Sequence, residues 1–327
     1  ETPFVPLPGM EVIKEEGLSK KDLRFSPDGR RLWTAALDCW DVSTGLKVDT
    51  AKMKLAADQE ANDGPASMDL SADGSTLLAI NTKSGVIRLW SVNSQQIMRQ
   101  ITVARRDGRM FPTGNVRFLD NHTFGAWCPT SQAIFRGRTD TSEKDKWLPV
   151  GAPRDRGTLS ANGEILAVMP SRGRCVILWD VEKDRQRQAL RHDDNAIMAV
   201  AFSPNGQHVA TGGLDNTVRL WQVADAARLV TIKGHGKGDV FLPVGVYSLA
   251  FSPCGKFLAS GGHDGCVNVW DASSYERVHT FRVTFKPIIT SITFSRDSRL
   301  LACGFIGAEK KAGLCVWEMS SNRHTGP

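Results

Sequence analysis

Apolar and polar residues alternate along this chain in short runs, and a turn phrase interrupts them at regular distances. In AVAFSPNGQHVATGGLDNTVRLWQV, residues 199–223, period-two alternation predicts three strands at 200–202, 208–211 and 218–222. Turn residues at 204–206 and 212–216 separate them, and ARLVTIKG (227–234) predicts a fourth. The phrase recurs as SPDG at 26–29, SADG at 71–74, SANG at 160–163, SPNG at 203–206, SPCG at 252–255 and a looser SRDS at 295–298. Each is followed by an apolar stretch that ends on tryptophan: Trp40, Trp90, Trp179, Trp221, Trp270 and Trp317. Asp41, Asp180 and Asp271 come directly after three of these. Anchored on the apolar residue before each turn (Phe25, Leu70, Phe118, Leu159, Phe202, Phe251 and Phe294), successive units are 45, 48, 41, 43, 49 and 43 residues apart. The third unit is degenerate. LDNH replaces the turn phrase after Phe118, and the tryptophan position is filled near Phe135.

Four short antiparallel strands cannot bury both of their faces alone. Stacking such units radially buries each sheet between two neighbours, and closing the ring removes the end edges. A unit of this length with a Trp-Asp ending, and a Gly-His before the next unit at 234–235, resembles the WD40 repeat. The resemblance extends over nearly all of residues 1–327, which are expected to form one all-β domain, a seven-bladed β-propeller with four-stranded blades. It also implies that an N-terminal strand shuts the ring by completing the last blade. MEVIKEEG (10–17) has no unit ahead of it, so residues of about 10–15 are expected there, with 11–14 lying beside 314–318.

Composition agrees with a folded protein rich in turns: of 327 residues, 41% are apolar and 23% charged, with 30 glycines and 15 prolines. No apolar run approaches the roughly 20 residues that span a bilayer. The start, ETPFVPLPGM, lacks an initiator methionine and the layout of a signal peptide, and reads as the cut end of a longer or processed chain. The seven cysteines form no CxxC pair, which favours free thiols in a reducing compartment, cytoplasmic or nuclear. The histidines are scattered without zinc-ligand spacing, no phosphate-cradling loop precedes a helix, and no cofactor is expected. The net charge of +6 arises in one region, because residues 99–191 hold 17 basic against 10 acidic side chains. That surplus suits solubility or an anionic partner.

The family resemblance assigns roles residue by residue. His192, Thr211, Asp215 and Trp221 match its buried hydrogen-bond set, and His235, Ser260, Asp264 and Trp270 match it again. A hydrolase triad is the sharper reading of Ser, His and Asp together, but the tryptophan takes the hydroxyl and leaves no open nucleophile. Binding in this family usually uses the face where the lead-in loops and middle turns surround the channel. The residues four before each anchor are Lys21, Ala66, Gly114, Asp155, Met198, Tyr247 and Thr290, and those before the turn aspartate position are Lys83, Arg172, Leu214 and His263. Tyr247, Met198 and Leu214, bordered by Lys21, Lys83, Arg172 and His263, suit a protein or peptide bearing an acidic or phosphorylated residue. The enlarged loop GKGDVFLPVG adds Phe241 and Leu242 on that face, and a second enlarged turn spans 304–313.

These features predict a non-catalytic scaffold, monomeric within a larger complex or longer chain, that assembles a complex through one face. An alternative uses the basic third and fourth units (Arg105, Arg106 and Arg109; 136–138; 154–156) to follow a nucleic-acid backbone. A third reading, an enzyme or small-ligand propeller, has no acid/base or ligand constellation to support it.

Overall fold

The computed structural model of the chain describes residues 13–15, 22–50, 53, 67–81, 86–102, 115–129, 132–140, 145–152, 156–170, 174–192, 195–236, 245–283, 287–307 and 312–319. Seven antiparallel sheets of four strands each follow one another around a channel. Their innermost strands are Leu23–Phe25, Ser67–Leu70, Asn115–Phe118, Arg156–Leu159, Ile197–Phe202, Val246–Phe251 and Ile288–Phe294, which define blades 1 to 7 in that order. Strand Ile13–Glu15 closes the ring as the fourth strand of blade 7. It pairs with Ala312–Leu314, so Ile13 faces Leu314 as the sequence reading allowed, while Lys14 faces Gly313, one residue before the expected segment. Glu11, named in that reading, lies outside the described residues.

The register explains why the anchors and tryptophans recur. In blade 5, Phe202 pairs with Val209 and Val209 with Trp221; in blade 2 the same row is Leu70, Leu77 and Trp90. One apolar row therefore crosses three strands and stays on one face, as a side-chain period of two requires. Blade 3 departs from this. Its row is Phe118, Phe124 and Gly137, so the residue in the tryptophan register is Gly137, not Phe135. A Cβ on Gly137 would lie 2.6 Å from the Phe135 ring and 2.7 Å from the Phe124 ring. The two phenylalanines thus occupy the space an indole fills elsewhere, and Phe135 also meets Trp147 edge-on at 4.9 Å.

The turn phrase is a small hydrogen-bonded device. In six blades the serine hydroxyl accepts the amide N–H five residues later at 2.8–3.0 Å. In five of them it donates to the Asp or Asn two residues on, at 2.6–2.7 Å. The glycine that ends the phrase has φ between 69° and 74°, a region open to glycine at little cost; in blade 7, Ser298 takes it at 62°. Burial occurs between blades: seven apolar clusters each join two neighbours, such as Ala259, Val267 and Phe281 of blade 6 against Ile289, Leu301 and Trp317 of blade 7. Phe281 stacks on Trp317 at 4.9 Å and 26°.

Candidate functional site

Two blades carry a buried polar chain. In blade 6, His235 Nδ1 lies 3.1 Å from Asp264 Oδ1, its Nε2 is 2.8 Å from Ser260 Oγ, and Trp270 Nε1 donates to that same hydroxyl at 2.9 Å. In blade 5, Thr211 Oγ1 receives the Trp221 indole N–H at 2.8 Å and lies 2.8 Å from His192 Nε2, while Asp215 Oδ2 is 3.5 Å from His192 Nδ1. Burial by itself would raise the Asp264 carboxyl, but hydrogen bonds from His235, Gly236 and Cys266 hold it below the usual carboxylate range. Ser260 is fully buried and engaged on both sides. Blades 1 and 2 lack this chain, and the indole N–H groups of Trp40 and Trp90 are buried without an acceptor. Burial pushes the thiols of Cys39 and Cys128 up to about 12.

The middle turns and the lead-in loops meet on one face, since Leu214 N donates to Ala196 O at 3.0 Å and His263 N to Gly245 O at 3.1 Å. There Met198, Tyr247 and Thr290, from blades 5, 6 and 7, line the mouth of the channel. Leu214 reaches across to blade 6, where a Cβ on Gly245 would lie 2.7 Å from its Cδ2. The Tyr247 and His263 rings are 6.4 Å apart at 49°. His263 differs from the exposed cation implied by the alignment. It is 9% exposed, and both ring nitrogens are buried without a hydrogen-bond partner among the described residues. Five expected residues therefore come together: Met198, Leu214, Tyr247, His263 and Thr290. Lys21, Ala66, Lys83, Gly114, Asp155, Arg172, Phe241 and Leu242 lie outside the described residues, as do Arg105, Arg106, Arg109 and Arg154.

Below the mouth, the channel holds a cavity of about 550 Å³ whose wall is asymmetric. One residue before each anchor, blades 1 to 4 present Arg24, Asp69, Arg117 and Thr158. Blades 5 to 7 present Ala201, Ala250 and Thr293 at the same position. Arg24 Nε donates to Asp69 Oδ1 at 2.7 Å, and Asp69 Oδ2 accepts Phe118 N–H at 2.8 Å. Asp22 accepts from Ser67 Oγ at 2.6 Å. Burial would lower the Arg24 guanidinium, but Asp69 and Asp22 raise it above its ordinary value. For Arg117, burial wins and pulls it down; Asp69 opposes that and the like charge of Arg24 adds to it. The sequence reading missed these arginines because it sampled only positions at the rim. Strand alternation from the same anchors would have found them.

Elsewhere in the basic region, Arg99 pairs with Asp145 at 2.7 Å, Arg138 with Asp140 at 3.0 Å, and Arg136 donates to Gly163 O at 3.0 Å. Among the described residues, no helix is long and apolar enough to cross a membrane.

A family model described as WD domain, G-beta repeat matches residues 185–222 and 227–271, which fall in blades 4 to 6. The remaining blades share the four-stranded arrangement of the matched ones. The chain carries WD40 repeats on a seven-bladed propeller. Relatives include mitogen-activated protein kinase-binding protein 1 of Mus musculus, 33% identical over 106 residues (31% of this chain, 7% of the relative). Periodic tryptophan protein 2 of Arabidopsis thaliana is 29% identical over 239 residues, 68% of this chain and 24% of the relative. Transducin-like enhancer protein 2 of Mus musculus is 25% identical over 188 residues, 50% and 23% respectively. The chain thus matches less than a quarter of the length of each. A chain of the crystal structure of the mitotic checkpoint complex shares the fold, with a TM-score of 0.72 at 19% identity over 98% of this chain and 94% of that one. WD40 propellers generally act as protein-interaction scaffolds without catalysis of their own.

Proposed function

We propose that this WD40 propeller is a non-catalytic scaffold that takes a peptide or protein segment across its channel mouth and so helps assemble a complex. The observation that carries the reading is the convergence of Met198, Tyr247 and Thr290 from three successive blades on that mouth, with Leu214 and His263 packed behind them. An apolar and aromatic patch on a rigid scaffold is the ordinary composition of a binding hot spot. His263 adds an unpaired ring nitrogen that a partner's polar group would satisfy. The remaining contacts of this reading are Lys21, Lys83 and Arg172, which favour an acidic or phosphorylated residue, and Phe241 with Leu242 as an apolar flank. One relative whose name speaks of kinase binding, and a neighbour from a checkpoint complex, fit such a role.

The nucleic-acid alternative draws no support from Arg99, Arg136 and Arg138, which already have protein partners. The test is affinity capture with the intact chain and with a Tyr247→Ala/Arg172→Ala variant, bound species being identified by mass spectrometry. Partners retained by the first and lost by the second support this face. An identical set on both excludes it.

A further inference from the structure

The channel wall has a second feature that the peptide-binding reading does not use. Ala201, Ala250 and Thr293 of three adjacent blades stand where blades 1 to 3 place the charged side chains of Arg24, Asp69 and Arg117, which leaves room in the channel. Its charges do not balance locally. Arg24 is matched by Asp69 at 2.7 Å, and Asp22 is held by Ser67 at 2.6 Å and by Met68 N–H at 3.3 Å. Arg117 projects from the next inner strand but one beyond Arg24, and its one hydrogen bond among the described residues is to Leu159 O, at 3.3 Å. Arg156, on the strand after that, lines the same cavity closer to solvent. Asn115 and Thr158, 3.5 Å apart, stand beside the two arginines.

A half-buried guanidinium that faces a like charge and has no carboxylate of its own leaves most of its five N–H donors to be satisfied by something in the channel. Guanidinium groups bind tetrahedral oxyanions through paired, charge-assisted hydrogen bonds, and two of them match a dianion. Across the cavity, Val200 and Leu249 border Ala201 and Ala250 and offer an apolar surface to an organic body. A volume of about 550 Å³ is in the range of small-ligand sites. We propose that the channel binds a small phosphomonoester, its phosphate on Arg117 and Arg156 and its organic part against the small residues of blades 5 and 6. The site lies in the wall below the rim and needs no peptide.

Isothermal titration calorimetry of the whole chain with phenyl phosphate, inorganic phosphate and benzoate tests this. The expected result is saturable one-to-one binding of phenyl phosphate, weaker binding of inorganic phosphate, and weaker binding still of benzoate, which carries the ring but a single carboxylate. Arg117→Gln lowers affinity for phenyl phosphate by about tenfold or more. Ala201→Phe keeps every charge but fills the cavity, and has the same effect. Should Arg117→Gln fail to fold by circular dichroism, Arg156→Gln at an exposed position takes its place, with about a threefold loss expected. Absence of saturable binding to the unaltered chain overturns the proposal. So does wild-type affinity in either folded arginine variant or in folded Ala201→Phe.

Discussion

Replacing Ser260 with alanine tests what the buried polar chain contributes. Ser260 Oγ is the one atom that joins His235 Nε2, at 2.8 Å, to Trp270 Nε1, at 2.9 Å, and no solvent reaches it. Its loss strands the indole donor in the core and leaves His235 Nε2 only a long contact, 3.4 Å, with Asn268 Nδ2. A buried polar group deprived of its partner costs about 1–3 kcal/mol, so two such groups give at most about 2–6 kcal/mol, and about 3 kcal/mol is the central expectation because His235 keeps the Asn268 contact. The blade should still fold, because blade 2 has this arrangement natively: Ala79 occupies the hydroxyl position and the Trp90 N–H has no acceptor. Thr211→Ser in blade 5 is the matched control. It preserves the hydroxyl that holds His192 and Trp221 and removes only a methyl group, for about 1 kcal/mol. Urea denaturation followed by circular dichroism and tryptophan fluorescence gives both numbers. A Ser260→Ala loss below about 1 kcal/mol, or one equal to that of Thr211→Ser, would refute the view that the polar chain stabilises these blades.

Three other outcomes follow from the geometry. Gly137→Ala drives a methyl group into the Phe124 and Phe135 rings and is expected to cost about 1–3 kcal/mol by the same denaturation assay; a neutral result would mean that the rings do not fill the tryptophan space of blade 3. The Asp264 carboxyl is lower in the folded chain than in the unfolded one, so its contribution is fully present above about pH 4 and is lost as pH falls through the depressed value. Stability measured from about pH 2 to 5 should therefore fall less steeply in Asp264→Asn, and an unchanged slope would contradict the linkage. Removing residues 1–16 takes away strand Ile13–Glu15 and bares the edge at Ala312–Leu314, which should lower the melting temperature by at least about 5 °C; an unchanged melt would refute closure by that strand.

Much of the fold could be read from the sequence because a propeller repeats its reasons. The row Phe202, Val209, Trp221 is one physical solution used again with Leu70, Leu77 and Trp90, so period and strand alternation together reveal the blades. Blade 3 was legible only in outline. Once Gly137 holds the tryptophan register, the compensating aromatic is at Phe135, two residues away on the same face, and only pairing distinguishes the two. The closing strand was found, with Ile13 on Leu314 inside the expected segment and Lys14 one residue outside it, since nothing in a short isolated strand states its exact register. Positions alone brought Met198, Tyr247 and Thr290 to the channel mouth, yet they gave His263 an exposed role although it is buried. Burial depends on neighbours from other turns, which a single-sequence alignment of blades does not weigh. The arginine-bearing wall went unnoticed for a related reason: Arg24, Asp69 and Arg117 acquire meaning only when three blades are viewed around one axis.

The central claim is that the channel mouth recognises a peptide or protein segment. Its most direct test is selection from a displayed peptide library on the intact chain, followed by calorimetric titration of the selected peptides against the unaltered chain and Tyr247→Ala/His263→Ala. The account predicts selected peptides with apolar anchors next to acidic residues, and an affinity loss of about tenfold or more in the variant. Equal affinity of those peptides for both chains, with both folded, would contradict it.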